Sequence, residues 1–181
     1  MTQFKAGSGL TTAIKHLLGG EDVRCAVAFW GNGADTLIQR NSRHTRIICD
    51  VTLGGTSPEA LLTLGAPDNP LLRCVARLHA KIYISNRGAI VGSANASQNG
   101  VGFGGPAVLV EGGVLLTPED EAYHQTATWF EEQWNESEQV DDSALNLATR
   151  RFRPERIPGR RAVRAGLLLT SLRPIRTASP T

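Results

Sequence analysis

The sequence predicts an α/β fold, a mixed β-sheet flanked by helices on both faces, and three observations carry that prediction. Residues 23–30 are a nearly continuous apolar run with flanking glycines, the pattern of a strand buried on both sides, and 45–51 reads as a second strand followed by a Gly54-Gly55 turn. Stretches with apolar residues at helical spacing alternate with these runs, so strands and helices succeed one another along the chain. Residues 78–86 alternate and then return through 89–91 across a short turn at Asn86 and Gly88, which adds a reversed strand pair and makes the sheet mixed.

Taken in order, Ser8 is placed to cap a helix whose face is Leu10, Ile14, Leu17 and Leu18, and Gly19-Gly20 supply its stop. The run 23–30 is interrupted only by Arg24, and Gly31-Asn32-Gly33 ends it. A short helix is expected over 34–40, a second strand over 45–51, and a turn at Gly54-Gly55. Pro58 after Ser57 opens a further helix reaching Leu64, because proline suits the first helical position. After a Pro-rich loop at 66–70, a short strand is expected over 71–76.

The Gly-rich segment 97–106 reads as a border of the active site, and 108–116 as one more strand interrupted by Gly112-Gly113. Thr117, Pro118, Glu119 and Asp120 start a helix in which Tyr123, Ala127, Phe130 and Trp134 form a core stripe. A linker beyond Asn135, a last short helix over 144–152 and an arginine-rich tail complete the chain. The expected organisation is a catalytic domain over 1–140 and, over 141–181, linker, short helix and tail.

Composition narrows the function classes. The 181 residues are 41% hydrophobic, enough for one domain with a substantial core. No apolar run approaches the ~20 residues that span a bilayer, and the N-terminus lacks a signal-peptide pattern, so a cytoplasmic protein with no membrane partner is expected. Cys25, Cys49 and Cys74 are widely spaced within strand-like runs, so free thiols are expected, with no metal site and no cofactor. The net charge of +2 hides an asymmetry: residues 150–181 hold nine arginines against the single acid Glu155. Arg150, Arg151, Arg153, Arg160 and Arg161 are therefore candidates for contact with nucleic acid, since clustered arginines neutralise backbone phosphates without reading sequence.

The chemistry concentrates between residues 78 and 97. His79 and Lys81 stand two apart on an apolar alternation, hence on one face of a strand, which sets an imidazole beside a fixed cation. Downstream, Gly92-Ser93-Ala94-Asn95 offers small residues and polar donors that allow close approach of an anion. The arrangement suits a phosphate.

The spacing His79-x-Lys81, Asn86, then Gly92-Ser93-x-Asn95 resembles the HKD motif of the phospholipase D superfamily, over roughly residues 23–135. The likeness is to short single-motif members, the bacterial endonuclease type and related restriction-type nucleases. It implies an α-β-α sandwich with one HKD-type motif per chain and a metal-independent phosphodiesterase, most simply a nuclease, with DNA expected before RNA as substrate. It also implies that His79 of one copy attacks phosphorus to form a phosphohistidine while the histidine of another copy protonates the leaving oxygen, so the site belongs to a homodimer. Lys81, Ser93 and Asn95 complete the implied catalytic set, with Asn86, Gly92 and Glu111 supporting it. Asn86 stands where the family has aspartate, and Glu111 is a candidate for the acid that orients the histidine in such nucleases. A phosphodiester-binding module without turnover is the alternative, and a phospholipid hydrolase a third reading.

Overall fold

The computed structural model describes residues 1–38, 44–103, 105 and 107–154. Their strands are β1 (Gln3–Ala6), β2 (Arg24–Val27), β3 (Arg46–Cys49), β4 (Leu72–Cys74), β5 (Lys81–Ser85), β6 (Gly88–Gly92), β7 (Gly112–Leu116) and β8 (Glu138–Gln139). The helices are α1 (Gly7–Leu18), α2 (Asp35–Ile38), α3 (Pro58–Thr63), α4 (Glu121–Glu136) and α5 (Asp142–Arg151). The strands form one mixed sheet in the order β1-β7-β6-β5-β2-β3-β4-β8. Only the β2–β3 and β3–β4 pairs are parallel.

Alternation along the central strands divides the core. Cys25, Val27, Ile47, Cys49, Tyr83 and Ile90 face one layer with Leu10, Ile14 and Leu17 of α1, Ile38 of α2, Leu61 of α3 and Ala148 of α5. Their neighbours Ala26, Ile48, Ile82, Ile84 and Ala89 face the other layer, where α4 covers them with Phe130, Tyr123 and Trp134. A sheet with helices on both faces, as the sequence predicts, follows from central strands that are largely apolar on both faces, Arg24, Arg46 and Arg73 on the α4 side apart.

Several local expectations are corrected. Ser8 does not cap α1: the cap lies two residues earlier, at Ala6, with no side-chain hydrogen bond. The cause is β1, which the sequence reading missed; it pairs with β7 and delivers the chain directly into the helix. The first helical turn is tied instead through the Gly7 N–H, which donates to the Glu111 carbonyl at 3.2 Å. Gly112 and Gly113 do not interrupt a strand over 108–116; they lie within β7, and residues 108–110 are an exposed loop ahead of it. A Cβ at Gly113 would come within 3.2 Å of Gly92 and 3.1 Å of Leu10, so glycine lets β6, β7 and α1 close up.

The segment expected as a linker carries β8, which pairs with β4, and Val140 is fully buried. Asp141 caps α5 by accepting from the Ala144 N–H at 2.8 Å, and Ala148 seals the helix against the first core layer. The expected helix over 34–40 is formed over Asp35–Ile38, residues 39 and 40 lying outside the described residues. Cys25 and Cys49 are buried and Cys74 half-buried, all three as free thiols. Among the described residues no helix is long and apolar enough to cross a membrane.

Candidate active site

The parallel strands β2, β3 and β4 end on one edge of the sheet, and the antiparallel partners bring the start of β5, the end of β6 and the start of β7 to that edge. Register places Val27 of β2 opposite Lys81, Ile82 opposite Val91, and Gly92 opposite Gly113. A crevice beyond the carboxyl ends of parallel strands is where α/β sheets hold ligands, because loops of different strands converge there.

His79 sits in the approach to β5, two residues before the strand begins, and its side chain is exposed. The predicted strand at His79 is thus corrected: the β2–β5 pairing continues past Lys81 only through the Ala28 N–H, which donates to the Ala80 carbonyl at 2.8 Å. Lys81, the first residue of β5, is buried at 8% exposure. Its Nζ donates to the His79 carbonyl at 2.9 Å and lies 5.5 Å from the centroid of the Phe29 ring. Phe29 also meets the His79 imidazole edge to face, with centroids 5.8 Å apart and planes at 71°. One ring therefore braces both groups, a role that the apolar run at 23–30 gave no means of distinguishing from ordinary core.

Lys81 forms no ion pair among the described residues. Burial lowers the pKa of its ammonium, opposed by the charge of Glu111. Glu111, buried at 9%, lies just ahead of β7, and its carboxylate accepts a hydrogen bond from the Ser93 hydroxyl. The Ser93 N–H donates to the Gly112 carbonyl at 3.0 Å, and Ser93 Oγ accepts from the Gly112 N–H at 3.1 Å, so the Ser93 turn is fixed onto the start of β7. Asn95 has a buried Oδ1 with no hydrogen-bond partner among the described residues, an acceptor left open. The Tyr83 hydroxyl donates to the Ala94 carbonyl at 2.9 Å and holds the same turn from below.

A groove of about 480 Å³ adjoins these groups, walled by Phe29, Leu53 and Phe152, with Asn95 and Ser97 on one side and Arg153 on its rim. Arg153 arrives there because its N–H donates to the Gly54 carbonyl at 2.9 Å, and its guanidinium donates to carbonyls at the end of α5. Arg150 and Arg151 are exposed on the last turn of that helix. Arg160 and Arg161 lie outside the described residues.

Asn86 is not part of the cluster. It follows the far end of β5, about 16 Å from Lys81 at roughly 3.3 Å per residue. There its Oδ1 accepts from the Glu21 N–H at 2.9 Å and its own N–H donates to the Glu21 carbonyl, which closes the β5–β6 turn onto the end of the α1–β2 connection. The structure thus unites His79, Lys81, Ser93, Asn95, Gly92 and Glu111 and sets Asn86 apart. Among the described residues no three His, Cys, Asp or Glu side chains group so as to hold a metal ion.

The fold is that of the phospholipase D family. Nuc of Salmonella typhimurium, a phospholipase D family member, superposes with TM-score 0.56 at 12% identity, over 78% of this chain and 99% of that one. NucT from Helicobacter pylori gives TM-score 0.56 at 12% identity, over 77% of this chain and 98% of that one. A phosphatidylserine synthase of Haemophilus influenzae Rd KW20 gives TM-score 0.50 at 15% identity, over 64% of this chain but only 33% of its own. No family model matches the sequence, and no curated protein matches it either.

Proposed function

We propose that the protein is a phosphodiesterase that cleaves nucleic acid, DNA in the first instance, through a phosphohistidine at His79. The observation that carries this reading is Lys81: a buried ammonium without an ion pair among the described residues, beside an exposed imidazole, is a site short of an anion. A phosphodiester supplies that anion. An imidazole nitrogen of His79 attacks phosphorus, the P–N bond forms and the P–O bond to the leaving group breaks, with Lys81 and Asn95 holding the non-bridging oxygens. The Ser93 hydroxyl, held by Glu111, fixes the turn that presents Asn95.

The leaving oxygen needs a proton, and His79 of a second copy supplies it from an imidazolium. That histidine then takes a proton from water as the water oxygen attacks phosphorus and the P–N bond breaks, which restores both groups. The site is therefore read as shared across a two-fold axis, for which one His-x-Lys motif per chain is the support. The exposed Val108, Leu109 and Val110, immediately ahead of Glu111, are the apolar surface that such a partner would cover. Arg150, Arg151 and Arg153 add backbone contacts beside the groove.

The test is turnover of bis(p-nitrophenyl) phosphate and of single- and double-stranded DNA in chelator, wild type against His79→Ala. Loss of turnover by about 10³-fold or more, with DNA binding retained, is expected. A denaturing quench at alkaline pH with labelled substrate, which preserves a P–N bond, should trap phosphohistidine in the wild type alone. A wild-type protein that binds DNA but yields neither product nor label is a binding module of this fold.

A further inference from the structure

We propose that Asp50 is a positioning residue for His79, acting through the backbone N–H of Arg77. Asp50 follows β3 and is fully buried, without an ion pair among the described residues. Its carboxylate is satisfied by hydrogen bonds divided between its two oxygens. Oδ1 accepts from the N–H groups of Thr52 at 2.8 Å and Leu53 at 2.6 Å, which folds the local turn beside the groove. Oδ2 accepts from the Thr52 hydroxyl at 2.8 Å and, 27 residues further along the chain, from the Arg77 N–H at 2.6 Å. A buried carboxylate holds such donors strongly, because the charge has no water to turn to.

Arg77 is the point at which the chain swings into the site. Its φ is +65°, in the left-handed region that non-glycine residues seldom occupy without support. Its side chain is exposed, so what the fold uses here is its main chain. Two residues on comes His79, and one beyond that the Ala80 carbonyl is pinned to Ala28 of the β2 end at 2.8 Å. His79 thus hangs between two fixed points, the Asp50–Arg77 bond and the Ala28–Ala80 bond. The second is ordinary sheet pairing; the first rests on one carboxylate oxygen at 2.6 Å, with the Thr52 hydroxyl oxygen a longer second acceptor at 3.4 Å.

Asp50→Asn separates the two duties of the carboxylate. The amide oxygen can keep Thr52 and Leu53, and the Thr52 hydroxyl can turn to accept, but an NH₂ group then faces the Arg77 N–H. The expected results are movement of the His79 ring-proton resonances away from the positions set by the Phe29 ring, and slower turnover of bis(p-nitrophenyl) phosphate. The loss expected is about 10–100-fold in kcat with KM changed less than about twofold, because the imidazole is misplaced and the phosphate contacts remain. Arg77→Asn, which keeps the N–H and tolerates positive φ, should leave the resonances and kcat at wild-type values.

The kinetic arm rests on His79 as nucleophile; the resonances do not, so a protein without turnover still decides the positioning role. A folded Asp50→Asn variant with unmoved His79 resonances, or an Arg77→Asn variant that moves them equally, would overturn the proposal. Should Asp50→Asn fail to fold, hydrogen exchange in the wild type decides. The Arg77 amide is expected to be protected as strongly as those of β5, and exchange at the rate of an open loop would overturn it.

Discussion

The chain sets cations against aromatic rings in two places, and the contrast between them separates support from chemistry. On the α4 side, Arg24, Arg46 and Arg73 come from three adjacent strands and lie 5.0–5.9 Å from the rings of Phe130 and Trp134. Glu131 takes hydrogen bonds from Arg46 at 2.7 and 2.9 Å and from Arg24 at 3.1 Å, and Asp22 pairs with both arginines. Two of the three guanidinium charges thus meet carboxylates, and Arg73 donates to the Ser137 carbonyl. At the crevice, Lys81 also lies over an aromatic ring, Phe29, yet among the described residues its only hydrogen-bond acceptor is a backbone carbonyl, and the Glu111 carboxylate is held by Ser93. Arg24 and Arg46, both stacked and paired, are spent on the fold; Lys81 shares the stacked, carboxylate-free setting of Arg73 but differs from it in standing beside the exposed His79 imidazole.

The largest consequence should appear when each cation is replaced by an apolar residue of similar length. Lys81→Met is expected to cost about 10²–10³-fold in kcat/KM, the usual effect of removing one group that stabilises a developing oxyanion. Its stability to urea should stay level or rise by up to about 1 kcal/mol, since a desolvated charge is removed. Arg46→Met should do the reverse, losing about 2 kcal/mol with the catalytic constants near wild type. A Lys81→Met variant as destabilised as Arg46→Met would erase the distinction.

A smaller effect concerns acid. Hydrogen bonding from Arg46, and after it the charges of Arg46 and Arg24, holds the Glu131 pKa below the ordinary carboxylate value, against a desolvation effect that raises it. A carboxylate depressed on folding contributes stability that is complete above its unfolded pKa of about 4.3 and is lost as pH falls through the depressed folded value. Glu131→Gln should therefore be less stable than wild type at pH 7, by under about 1 kcal/mol because Glu131 is 44% exposed, with the gap closing below about pH 4. Urea midpoints measured from pH 3 to 7 check this; a gap constant across that range would show that pairing is not its source.

The smallest effect is expected at Asn86. Asn86→Asp keeps the acceptor for the Glu21 N–H at an exposed turn remote from Lys81, so activity should change by less than about twofold and stability by about 0.5 kcal/mol at most. A large rise in activity would mean that the β5–β6 turn communicates with the crevice.

What could be read in advance was whatever depends on local pattern. The apolar run at 23–30 and the strand pattern at 45–51 marked β2 and β3, and the stripe of Tyr123, Phe130 and Trp134 marked α4; the shared strand face expected for His79 and Lys81 was not found, because β5 starts only at Lys81. Edge strands of four and two residues offer too few positions for a pattern, so β1 and β8 went unread, and with β1 the true start of α1. Phe29 and Asp50 were invisible for another reason. Each acts through a contact made far along the chain, with His79 and Lys81 in one case and Arg77 in the other, and no local signal distinguishes such a phenylalanine or aspartate from any other at the end of a strand.

Those short borders also bear on how two copies could meet. A sheet that ended in long strands would offer rows of open N–H and C=O groups to a neighbour. Here one border offers four residues and the other two, the latter Glu138 and Gln139. Little main chain is left for a second molecule to extend the sheet sideways. If two copies pair as proposed, at the crevice end where Val108, Leu109 and Val110 are bare, the edges among the described residues offer little competition, and growth should stop at a closed pair in place of an open fibre.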